Sequence, residues 1–67
     1  MPLTVIISGE KEPRSLNVSR AKVKEILGIL GLNSNEHVVL RNNEVLTDED
    51  DVFDGDVLTI FTVKSGG

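Results

Sequence analysis

The apolar residues fall into five short strand-like runs and one stretch at helical spacing. "LTVIIS" at residues 3–8 is short and rich in β-branched side chains, as strands are. "GEKEP" follows, with Gly9 and Pro13 as turn residues. "RSLNV" then alternates, with Leu16 and Val18 on one side, and an opening hairpin is predicted. Val23, Ile26, Leu27 and Leu30 form one helical stripe. Ser19 is placed to cap that helix, with Val18 and Val23 as a hydrophobic staple around it. Lys22 stands where a glutamate would complete a capping box with Ser19. Gly31 predicts a left-handed helix end, with Leu32 folding back toward Leu27. Gly28 costs up to about 1 kcal/mol relative to alanine. It either lets the helix approach a sheet closely or is simply tolerated.

"NSNE" reads as a loop, and "HVVLR" as the next strand. Asn42 and Asn43 form a tight turn, because asparagine tolerates positive φ. "EVL" continues as a short strand. "TDEDDVFDGD" is polar, with Val52 and Phe53 expected to anchor it in the core and Asp54-Gly55 to turn the chain. Residues 57–63, "VLTIFTV", are nearly all apolar and predict a central strand buried on both faces. A helix with one apolar stripe needs one sheet to cover it, which gives an α+β two-layer domain. With the last strand central beside the first, the arrangement is a β-grasp: a mixed sheet of four to five strands packed on one helix. Residues 1–63 form this domain, and residues 64–67 a flexible C-terminal tail.

Composition narrows the function classes. The chain has 67 residues, enough for one small domain. It has no cysteine, which removes disulfides, thiolate metal sites and a cysteine nucleophile together. A secreted domain of this size usually needs such staples, and no signal peptide or membrane span is visible, so a cytoplasmic setting is expected. The net charge of −4 argues against nucleic acid and is compatible with a partner carrying a basic face.

No constellation for catalysis is found. His37 is the single histidine and lacks a neighbouring nucleophile or orienting carboxylate; it reads as a strand-edge residue. Asp48, Glu49, Asp50 and Asp51 lack the ligand alternation of a calcium loop and read as a solvated acidic loop or an electrostatic contact. The glycines form no phosphate loop and the serines no nucleophile elbow. Neither enzymatic activity, a metal site nor a bound cofactor is expected.

"FDGDVLTIFTVKSGG" resembles the C-terminal signature of the ThiS/MoaD family of ubiquitin-like sulfur carriers: an Asp-Gly-Asp turn, an apolar last strand and a Gly-Gly end. "VVLRNNEVL" resembles that family's middle hairpin. The resemblance implies that an ATP-dependent adenylating enzyme of the ubiquitin-activating type charges the Gly67 carboxylate. A thiocarboxylate would follow and pass sulfur to thiazole synthase, the molybdopterin synthase large subunit or a tRNA thiolase. In some members the activated end joins a lysine of another protein. Lys64, where the molybdopterin branch often has proline or a small residue, leans away from that branch.

The tail suits such chemistry. Lys64, Ser65 and Gly66 would enter the partner's active site with Gly67, reaching at most roughly 13–14 Å from Val63. Glycine leaves a narrow channel unobstructed. Ordering the tail costs about 1–2 kcal/mol per residue, which a docking surface must offset. Candidates for that surface are Leu58 and Ile60 or their alternates on the last strand, with Asp54 and Asp56 beside them. Alternation sets Leu58, Ile60 and Thr62 against Val57, Thr59, Phe61 and Val63, without saying which set faces the helix. Two other readings stand beside the carrier: a ubiquitin-like modifier conjugated to lysines, and a non-catalytic interaction domain.

Overall fold

The computed structural model describes residues 1–63. Seven strands and one helix follow in the order β1 (Leu3–Ile7), β2 (Arg14–Leu16), β3 (Arg20–Lys22), α1 (Val23–Leu30), β4 (His37–Arg41), β5 (Glu44–Leu46), β6 (Asp51–Phe53) and β7 (Val57–Thr62), with a 3-10 turn at Ser34–Glu36 before β4. Five strands form one mixed sheet in the order β2-β1-β7-β4-β5. β1 and β7 are parallel, and the other neighbours are antiparallel. The last strand is central beside the first, as the β-grasp expectation requires. Helix α1 packs its Val23, Ile26 and Leu27 against Leu3, Val5, Ile7, Val39, Leu58 and Ile60 of the sheet, with Val52 closing one end of the core.

The helix begins three residues later than a Ser19 cap would place it. Arg20–Lys22 instead pairs antiparallel with Asp51–Phe53, bringing Ala21 opposite Val52. The backbone carbonyl of Ser19 is used there, accepting from the Asp54 N–H at 3.0 Å. The cap residue is Lys22, whose ammonium cannot accept a hydrogen bond. Glu25 closes the end by accepting from the Lys22 N–H at 3.1 Å, half of a capping box. The first helical N–H groups, on Val23 and Lys24, donate to the carbonyls of Asp50 (3.0 Å) and Asp48 (3.1 Å). The acidic loop is therefore part of the helix cap.

The local dihedral expectations hold. Gly31 has φ 73°. Leu32 N–H donates to the Leu27 carbonyl at 2.8 Å and Gly31 N–H to that of Gly28 at 3.2 Å, a Schellman ending. Asn42 and Asn43 have φ 54° and 67°, the type I′ signature that fits the twist of the β4–β5 hairpin. Gly28 is exposed, and a Cβ there would meet nothing within 4 Å, so it serves no close approach.

Two packing expectations are overturned. Phe53 is not a core anchor: it is 44% exposed, with the Arg20 guanidinium 5.8 Å from its ring centroid. Its neighbour Val52 fills the core instead, because β6 alternates. Strand β7 is buried on one face only. Leu58 and Ile60 have no exposure, whereas Val57 is 51% and Phe61 47% exposed. One helix covers one side of the sheet, and nothing among the described residues covers the other.

Candidate functional site

The outer face of the sheet is built by pairing register. Thr59, at the centre of β7, lies between Ile6 of β1 and Leu40 of β4. Val57 pairs with Thr4, Phe61 with Val38, and Leu40 also with Val45 of β5. Ser15 of β2 extends the row beside Thr4. These positions alternate with the core residues, so their side chains point away from the helix. Among the described residues none of these outward positions is charged: each is apolar or carries a hydroxyl. Ile6, Val45, Val57 and Phe61 are substantially exposed, and Val63 is half exposed just beyond the strand. An open groove crosses this face, lined by Leu40, Val57, Thr59, Phe61 and the Asn42–Asn43 turn.

Leu58 and Ile60, expected as partner contacts, are fully buried against the helix layer and cannot serve. Their alternates Val57, Thr59 and Phe61 occupy the accessible side. Alternation could not make this choice, because both sets on β7 are apolar or hydroxyl-bearing. The deciding information is long-range: β1 and β4 place Val5 and Val39 in the core beside Leu58 and Ile60.

The Asp-Gly-Asp turn starts β7. Gly55 has φ 86° and donates its N–H to the Pro2 carbonyl at 3.2 Å. Asp56 Oδ2 accepts from the Phe53 N–H at 2.9 Å and from Arg41 Nη1 at 3.2 Å. Arg41 also donates to the Asp51 carbonyl at 3.1 Å. The Asp56 carbonyl accepts from the Thr4 N–H at 3.0 Å, joining the turn to the start of β1. Asp56 is thus committed to the fold, holding β4, β6 and β7 in register, and is not a free partner contact. Asp54 is exposed, 3.8 Å from the Met1 amino group. At about 3.3 Å per residue, the six residues of β7 set this turn roughly 20 Å from the strand's far end. Neither aspartate therefore lies beside the C-terminal end of β7.

That far end is tied down. Val63 N–H donates to the Glu36 carbonyl at 2.7 Å, and His37, opposite Thr62, places its Nδ1 2.8 Å from the Asn33 carbonyl. His37 is accordingly a strand-edge residue engaged with the 3-10 turn. Lys64, Ser65, Gly66 and Gly67 lie outside the described residues.

The acidic run is largely paired. Glu49 lies 3.1 Å from Lys24 Nζ, Asp51 lies 3.0 Å from Arg20, and Asp50 accepts from the Thr47 N–H at 2.7 Å. Among the described residues no cluster of histidine and acidic side chains is arranged to hold a metal ion. No helix there is long and apolar enough to cross a membrane. Sequence reading missed the β3–β6 ladder, whose charged residues look like the first turn of a helix. The Glu25 three residues after Lys22 was the available signal for the true start.

Comparisons with known proteins agree with this architecture. The family model of the ThiS family matches residues 8–67. The solved structure of the Caldiarchaeum subterraneum ubiquitin superposes with a TM-score of 0.71 at 22% identity, covering 100% of this chain and 98% of that one. The thiamine biosynthesis protein ThiS from Geobacter metallireducens gives a TM-score of 0.66 at 26% identity, covering 96% of this chain and 99% of that one. The first likeness, at its low identity, speaks for the fold alone.

Proposed function

Because the chain belongs to the ThiS family, we propose that it is a sulfur carrier whose Gly67 carboxylate is the charged group. A carboxylate oxygen attacks the α-phosphorus of ATP in the active site of a ubiquitin-activating-type enzyme, and pyrophosphate leaves. A hydrosulfide-level sulfur donor then attacks the acyl carbon, the C–O bond to the phosphate breaks so that AMP leaves, and loss of the S–H proton gives the thiocarboxylate. The carrier supplies the acyl group and the binding surface, and the partner supplies the catalysis. The single observation that carries this reading is a family match over residues 8–67, which includes Gly67.

The outer sheet face gives the carrier its means of docking. Five strands about 4.8 Å apart, of three to six residues each, make a face of roughly 350 Å². At about 25 cal/mol per Å² its burial is worth roughly 9 kcal/mol. Fixing any four residues in one path costs about 4–8 kcal/mol. Rigid-body association consumes the remainder, so docking is transient, as a carrier moving between a charging enzyme and a sulfur acceptor requires. Among acceptors, thiazole formation for thiamin is favoured over molybdopterin assembly and tRNA thiolation. Lys64 speaks against molybdopterin assembly alone, and the likeness to the Geobacter ThiS supports thiazole formation. ATP-dependent charging and the absence of cysteine both suit a cytoplasmic setting.

The test is ATP–pyrophosphate exchange with the cognate activating enzyme. The full chain supports exchange; a chain amidated at Gly67, or lacking Gly66 and Gly67, does not. Equal exchange from the amidated chain would end the proposal. Lysine-linked conjugates without thiocarboxylate would move the protein to the modifier class.

A further inference from the structure

We infer that the turn at residues 33–37 is a positioning clamp that fixes Val63 as the root of the tail, with His37 as the residue that holds the clamp shut. The inference rests on the carrier reading, because it concerns how the Gly67 carboxylate is presented to the activating enzyme.

Burial does not hold the end of β7. Phe61, Thr62 and Val63 are all exposed, so hydrogen bonds have to fix the chain there. The last register pair of the β4–β7 ladder is His37 with Thr62. Beyond it the Val63 N–H donates to the Glu36 carbonyl at 2.7 Å. Glu36 belongs to the 3-10 turn Ser34–Glu36 and not to β4, so the aim of its carbonyl depends on how that turn is closed. The Asn33 carbonyl closes it with both lone pairs, accepting from the Glu36 N–H at 3.0 Å and from the His37 ring at 2.8 Å. A carbonyl only accepts, so Nδ1 is the ring nitrogen that carries the proton. Asn33 Oδ1 adds a third bond, accepting from the Asn35 N–H at 2.9 Å. The His37 side chain is the member that reaches back from β4 and ties the turn to the sheet.

The clamp sets reach. From a fixed Val63 the four remaining residues span at most roughly 13–14 Å. If Thr62 and Val63 were released, the reach would grow to roughly 20 Å, and the enzyme would have to order two more residues after docking. A closed clamp therefore lets docking of the folded domain aim the carboxylate as well.

The experiment measures ATP–pyrophosphate exchange against carrier concentration, using the full chain and its activating enzyme. Val63→Pro removes the N–H donor, while Val63→Ala trims the same side chain and keeps it. Val63→Pro should lower kcat at least ~5-fold with KM nearly unchanged, the equivalent of ordering one further residue. Val63→Ala should stay near wild type. His37→Ala should lower kcat by less, and His37→Gln, which keeps a donor, should recover part of the loss. Simple destabilisation gives the opposite split: unfolded copies subtract from the substrate, raising apparent KM and sparing kcat. Amide exchange read by NMR needs no enzyme. The Val63 amide should be protected in the wild-type chain and lose at least ~5-fold of that protection in His37→Ala. A freely exchanging Val63 amide in the wild type, equal kcat for Val63→Pro and Val63→Ala, or a loss confined to KM would each overturn the clamp while wild-type charging leaves the carrier reading standing. A wild-type chain that is not charged by an enzyme active on another carrier would end both.

Discussion

The two faces of β7 carry almost the same chemistry and have opposite fates. Leu58 and Ile60 lie under the helix with no exposure, while Val57 and Phe61, one residue away, are about half exposed. Their hydrophobicity therefore does not decide their burial; the single helix does. An exposed apolar sheet side of this kind fits the docking surface proposed above. The inner face should determine stability and the outer face recognition, and substitutions can separate the two.

The largest effect is expected on the inner face. Leu58→Ala should cost about 2–5 kcal/mol through lost burial and the cavity left behind. A 67-residue domain has only about 3–10 kcal/mol in total, so the variant should be partly unfolded by urea titration at room temperature. Asp56→Ala should follow, losing about 1–3 kcal/mol because the Phe53 N–H and the half-buried Arg41 lose their acceptor. Phe61→Lys inverts the pattern: its melting should move little, yet kcat/KM for adenylation should fall at least ~10-fold, equivalent to about 1.4 kcal/mol. Equal damage to stability from Phe61→Lys and Leu58→Ala would erase the contrast between the faces. Gly28→Ala lies outside both faces, where a methyl group meets nothing, and should stabilise by about 0.5–1 kcal/mol in the same urea titration.

The smallest effect is electrostatic and far from β7. Arg14 donates two hydrogen bonds to Glu10, at 3.0 and 2.7 Å, and these hold the Glu10 carboxyl below its ordinary range. A depressed folded-state value means stability present above the unfolded pKa and lost as pH falls through the folded one. The pair is at the surface, so the change in stability should be slight. An NMR titration should nonetheless find the Glu10 midpoint low, and Arg14→Ala should return it toward normal.

What was legible in the sequence followed from local necessity. Gly31 and the Asn42–Asn43 pair adopt left-handed conformations that few other residues accept, and each fixed an element end or a turn. The central place of the last strand was legible from its apolar length. The helix start was not, because Ser19 satisfies a cap pattern locally while a long-range ladder to Asp51–Phe53 claims the next three residues. Phe53 misled for a related reason: in a three-residue strand the small Val52 can take the core and leave the larger ring outside with Arg20. Choosing between Val57, Phe61 and Leu58, Ile60 required knowing where the helix lies. Asp56 looked like a free acid because its partner Arg41 is 15 residues away in sequence.

The most direct measurement is the intact mass of the full chain after incubation with its activating enzyme, ATP and a sulfur donor, with and without a thiocarboxylate-selective alkylating reagent. The account predicts exchange of one oxygen for sulfur, capture of that sulfur by the reagent, and fragmentation that assigns both to Gly67. An unchanged mass beside an enzyme proven active on another carrier, or a mass gain that resists alkylation and maps to Met1, would contradict it.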